Sequence, residues 1–97
     1  MTTHAIPNSA TVVAAPDLLA SRFGDETVLL SLRDGVYYGL EDVGARVWSL
    51  LQTPTTLDAI RDAVVAEYSV EPARCERDLR ALLGDMVARG LVEIREY

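Results

Sequence analysis

The pair that most constrains this chain is Asp34-Gly35. Two runs of strand-forming residues flank it, "TVLLSL" (Thr27–Leu32) before and "VYYGL" (Val36–Leu40) after. An aspartate–glycine step suits the positive-φ turn that folds one strand back on another, so an antiparallel hairpin is predicted here. An earlier run, "TVVAA" (Thr11–Ala15), closes at Pro16 and completes a three-stranded meander. "DLLASRFGDE" reads as the connection between them, with Gly24-Asp25 as its turn residues.

The hydrophobic period changes directly after Leu40. Val43, Val47, Leu50 and Leu51 fall at i, i+4, i+7 and i+8, with Trp48 beside them, and mark a first helix. Glu41 and Asp42 complement its N-terminal dipole. "QTPTT" ends it, and Thr55 with Asp58 three residues on has the spacing of a capping box. Leu57, Ile60, Val64 and Tyr68 form the stripe of a second helix. Glu71-Pro72 opens a third, because proline is tolerated in a helix's first turn. Its stripe is Cys75, Leu79, Leu82, Leu83 and Met86, and Arg89-Gly90 suits its end. "LVEIREY" follows as an extended tail with room for a small strand.

The first ten residues, with His4, Pro7, Asn8 and Ser9, show little periodicity and read as a flexible N-terminal tail. Residues 11–97 then make one domain. The fold class is α+β and winged-helix-like, a three-stranded antiparallel sheet followed by three helices in the order βββααα.

Size and charge exclude several functions. A chain of 97 residues buries one modest core and leaves little room for a deep catalytic cleft. Its net charge of −6 argues against nucleic acid, whose phosphates need a concentrated positive face, and against anionic membranes. Arg74, Arg77, Arg80 and Arg89 of the third helix alternate with Glu71, Glu76, Asp78 and Asp85, so the helix lacks the basic face of a DNA reader. No apolar run reaches the length of a membrane span, and the N-terminus lacks the features of a signal peptide. The single cysteine, Cys75, excludes an intrachain disulfide and fits a reducing cytoplasm.

Chemistry is equally sparse. Cys75 lies on an apolar stripe, and the one histidine, His4, lies in the tail, so no Cys–His pair is expected. The carboxylate pairs Asp25/Glu26, Glu41/Asp42 and Asp58/Asp62 read as solvated surface. No glycine loop matches a nucleotide fingerprint. The expectation is a protein without catalytic activity, metal or cofactor.

What remains is the strand Val36–Leu40. A helix follows it at once, which places it at a sheet edge. Natural edges are blunted with lysine, proline, inward charge or a bulge, and here only Gly39 hints at a bulge. The N-terminal segment or a second copy would cover such an edge. An extended peptide adding as a strand is the functional alternative. Alternation puts Tyr37 and Tyr38 on opposite faces, and only one can face the helices.

The run "LLSLRDGVYYGLEDVGARVWSLL", followed by "YSVEPARCERDLRALLGDMVARGLVE", resembles the PqqD-like proteins, or RiPP recognition elements. It is most similar to the stand-alone members of lasso peptide clusters. The pattern is a strand, the turn glycine Gly35, the pair Tyr37 and Tyr38, Leu40, then Gly44 and Trp48 before a double leucine, closing with Gly90-Leu91. The resemblance implies a non-catalytic protein that binds the leader peptide of a ribosomal precursor as an added strand. Val36, Tyr37, Tyr38, Gly39 and Leu40 would form the pairing edge, and Cys75, Leu79, Leu82 and Met86 the helix side. It implies as partners the precursor leader, a transglutaminase-like cysteine leader peptidase and an asparagine-synthetase-like cyclase. The place after the first helix reads "LLQTPTT", not the Leu-Cys-Asp-Gly-like turn of pyrroloquinoline quinone proteins. The alternatives are the same fold serving another modifying enzyme, or an acidic winged-helix DNA-binding regulator.

Overall fold

The computed structural model describes residues 6–95. In chain order they form β1 (Thr11–Ala14), β2 (Leu18–Phe23), β3 (Glu26–Ser31), β4 (Tyr37–Glu41), α1 (Asp42–Leu50), β5 (Thr55–Thr56), α2 (Leu57–Tyr68), α3 (Pro72–Ala88) and β6 (Val92–Arg95). The fold is the α+β type expected, with a three-stranded antiparallel meander and then three helices. The strands divide into two sheets, ordered β2-β3-β4 and β5-β1-β6.

The meander differs from expectation in its first strand. "LLASRF", read as a connection, is β2, and it pairs with β3 along its whole length from Leu18↔Ser31 to Phe23↔Glu26. Gly24 at φ +64 makes the turn between them. β2 carries no apolar alternation to mark it as a strand, and all of it but Leu18 is exposed. Thr11–Ala14 instead joins the second sheet, pairing with Thr55–Thr56 on one side and Val92–Arg95 on the other. The tail after Leu91 thus does contain a strand.

The β3–β4 hairpin forms, but with a wider loop than a two-residue Asp-Gly turn. The Ser31 N–H donates to the Val36 carbonyl at 2.9 Å, and the Gly35 N–H donates to the Ser31 carbonyl at 2.8 Å. Gly35 sits at φ +72, where a side chain would be strained. Asp34 accepts from the Val36 N–H at 3.1 Å, an aspartate turn that ties the loop to the start of β4.

Helix ends follow local chemistry. The cap of α2 is Thr56, one residue past the expected Thr55; its hydroxyl accepts from the Ala59 N–H at 3.1 Å. Glu71 caps α3 by accepting from the N–H groups of Ala73 and Arg74 at 2.8 and 3.1 Å. At the other end Gly90 takes φ +75. The Gly90 N–H donates to the Val87 carbonyl and the Leu91 N–H to the Met86 carbonyl, a Schellman closure. Arg33 crowds this turn so closely that a Cβ at Gly90 would run into its guanidinium.

The core is built from all the layers: Val12, Leu29, Val47, Leu51, Leu57, Ile60, Leu83 and Met86 are completely enclosed. It also takes in part of the expected tail. Ile6 and Ala10 are buried, and Asn8 donates to Asp58 and Glu76 at 3.0 and 3.1 Å. Arg80 reaches back to the Ile6 carbonyl and to the Asn8 side chain. Residues 6–10 are therefore fastened to α2 and α3; His4 lies outside the described residues.

Candidate functional site

β4 is hydrogen-bonded to β3 on one side only, and no strand among the described residues lies on the other. Its five residues, Tyr-Tyr-Gly-Leu-Glu, include no proline or lysine. The ladder runs through Gly39, opposite Val28, without a bulge. α1 starts at the next residue, Asp42.

Register decides which tyrosine faces inward. Tyr38 stands opposite the fully enclosed Leu29, and Leu40 opposite the buried Thr27. Tyr38 and Leu40 are half-buried and pack against the core. Tyr37, opposite Leu30, points to the outer face of the sheet and is 69% exposed. Val36 precedes the strand, in the loop.

Arg89, the residue that ends α3, lies near this strand: its guanidinium carbon is 5.9 Å from the centroid of the Tyr38 ring. At about 100° per residue, Leu82 and Asp85 fall on nearly the same helical face as Arg89. Arg80, nine positions before Arg89, falls about half a turn out of phase and faces the N-terminal segment instead. The segment at residues 6–10 is thus tied to the Arg80 side of α3. Of the residues expected on the helix side, Leu82 alone is partly accessible; Cys75, Leu79 and Met86 are 5%, 2% and 1% exposed. These three lie in the core, because the stripe of α3 faces α2 and the sheets and leaves only its border to the edge. The structure therefore sets Arg89 over Tyr38, while Leu40 and Leu82 each pack half-buried against the core.

Burial pushes the Cys75 thiol up, and the nearby Asp78 carboxylate adds to the shift, so the nucleophilic thiolate is disfavoured. Among the described residues no cluster of potential metal ligands occurs. A cleft of about 770 Å³ opens beneath the opposite edge of the sheet, between Ala20 and Arg22 of β2 and Ala45, Trp48 and Ser49 of α1.

The family model for coenzyme PQQ synthesis protein D (PqqD) matches residues 26–92, from the start of β3 to the start of β6. The chain belongs to the PqqD family. Within this PqqD-family fold, the matched region contains β4 and α3 and omits β1 and β2. Two solved structures are similar. One, described as TbiB1 in complex with the TbiA(beta) leader peptide, is 39% identical with a TM-score of 0.78, over 88% of this chain and 96% of that one. The other, lasso peptide synthetase B1 complexed with the leader peptide, is 26% identical with a TM-score of 0.75, over 84% of this chain and 96% of that one. No curated protein matches the sequence. No helix among the described residues is long and apolar enough to cross a membrane.

Proposed function

We propose that this PqqD-family protein is a non-catalytic recognition element that captures the leader segment of a ribosomally made precursor, of the lasso peptide type, and presents it to a separate cysteine leader peptidase. The observation that carries the reading is the unpaired edge of β4, with Arg89 at the end of α3 over its Tyr38, in a chain 39% identical to one solved with a leader peptide.

Magnitudes say how such an edge would work. Each backbone hydrogen bond gained nets roughly 1 kcal/mol, while ordering each peptide residue costs roughly 1–2 kcal/mol. Strand pairing alone about breaks even. Selectivity then rests on apolar anchors of the guest, each contributing about 1.5–3 kcal/mol when fully buried. Tyr38, Leu40 and Leu82 are the half-buried apolar groups that would receive them. Cys75, Leu79 and Met86 would hold α3 in place from beneath.

The test is titration of labelled TbiA(beta) leader peptide, together with amide exchange of Tyr37–Glu41. Binding should slow exchange along β4, and a charge at Tyr38 or Leu82 in a folded variant should weaken affinity at least about tenfold. Equal affinity in Y38E, L82E and the parent protein would remove β4 and α3 as the site.

A further inference from the structure

The two ends of the β4 edge differ in charge. At the loop end, Arg33 donates to the Gly90 carbonyl at 3.4 Å, and the neighbouring Arg89 lies over Tyr38. Their two carboxylate neighbours are already engaged. Asp85 accepts from Arg89 Nε at 3.0 Å, which leaves the terminal amino groups of that guanidinium unused. Asp34 accepts from the Val36 N–H and is turned into its own loop. A planar guanidinium with unused donors, held against an aromatic ring, is ready to donate to a carboxylate.

The far end is the reverse. The ladder sets Glu26 directly opposite Glu41, and Asp25 and Asp42 flank that pair in sequence. None of the four forms an ion pair among the described residues. Like charges set opposite each other in a sheet repel, and another carboxylate placed alongside raises the cost. An acidic side chain on an added strand is therefore accepted at the loop end and rejected at the Glu41 end.

Resting on the proposed leader-binding role, we infer that Arg33 and Arg89 bind an acidic side chain of the captured peptide and that the Glu26–Glu41 end excludes it, which together fix the peptide's register and direction. Antiparallel addition continues the pattern of the existing sheet and is the more stable pairing. The loop end of β4 is the N-terminal end of that strand. The acidic residue consequently lies on the C-terminal side of the peptide's apolar anchors. Negative discrimination of this kind needs no added attraction at the second end.

A displayed library of short random peptides tests this, sorted separately on the parent protein and on the R33A/R89A double variant. Peptides from the parent sort should slow amide exchange along β4 and carry an Asp or Glu C-terminal to their apolar residues. Changing that residue to its amide should weaken binding to the parent about tenfold and leave binding to the double variant unchanged. R89K, which keeps the charge but loses the fork, should retain part of the preference. Parent-sorted peptides with no acidic position, or equal losses on parent and double variant, would overturn the inference while leaving leader capture intact. Failure of any peptide to protect β4 would overturn leader capture itself.

Discussion

Leu29 and Tyr38 face each other across the β3–β4 ladder, one completely enclosed and the other half-buried beneath Arg89. That pairing makes Tyr38 both a core residue and part of the wall of the open edge. Tyr37, one residue earlier, has no such double duty.

The two tyrosines should therefore separate in a stability experiment. Y38A loses packing against the core and the cation–π contact, and should cost about 1–3 kcal/mol. Y37A removes a side chain that is 69% exposed and should stay within about 0.5 kcal/mol of the parent. Urea denaturation of the two variants decides the matter. Equal losses would mean that the strand is shifted by one residue.

Capping offers a second check on register. T56A removes the hydroxyl that accepts from the Ala59 N–H and should cost about 1 kcal/mol. For a domain of this size that lowers the melting temperature by roughly 4–8 °C. T55A, one residue earlier, should shift the melt by less.

Acid should destabilise the fold in a defined window. Hydrogen bonds from Arg46 hold the Glu67 carboxyl below its ordinary range, and hydrogen bonds from Arg61 and then Asn8 do the same for Glu76. Asp34 is lowered by the Ser31 hydroxyl and by the Val36 N–H. Folded values below unfolded ones mean that the stabilisation is fully present above the unfolded carboxyl range, near pH 4. It is lost as pH falls through the lower folded values. Urea midpoints should be flat down to about pH 5 and fall below it, and E67Q and E76Q should each flatten that fall. Equal acid slopes in the variants and the parent would refute the linkage.

Cys75 should be silent toward thiol reagents in the native state. It is 5% exposed and its thiol is pushed up by burial, so a disulfide reagent at neutral pH should react only as fast as the protein unfolds. Rapid modification without urea would show that the core around α3 opens easily. Binding of the TbiA(beta) leader should survive C75A, because the proposed contacts of α3 are Leu82 and Arg89.

By itself, the sequence determined what depends on neighbours along the chain. The hairpin at Asp34-Gly35, the three apolar stripes, the proline start of α3 and the glycine at its end all arise from turn chemistry, rotamer preference and period. The resemblance to the PqqD-like proteins was readable at the same level, from the order of Tyr37-Tyr38, Gly44, Trp48 and Gly90-Leu91. Tertiary structure decided the rest. Thr11–Ala14 looks like any other short strand until Val92–Arg95 and Thr55–Thr56 flank it, and β2 has no apolar rhythm to reveal it. Which border of α3 meets solvent, and that Ile6 and Asn8 lie on the side opposite Arg89, follow from contacts far apart in sequence. Strand partners and the accessible rim of a helix are relations between distant segments, and no local pattern encodes them.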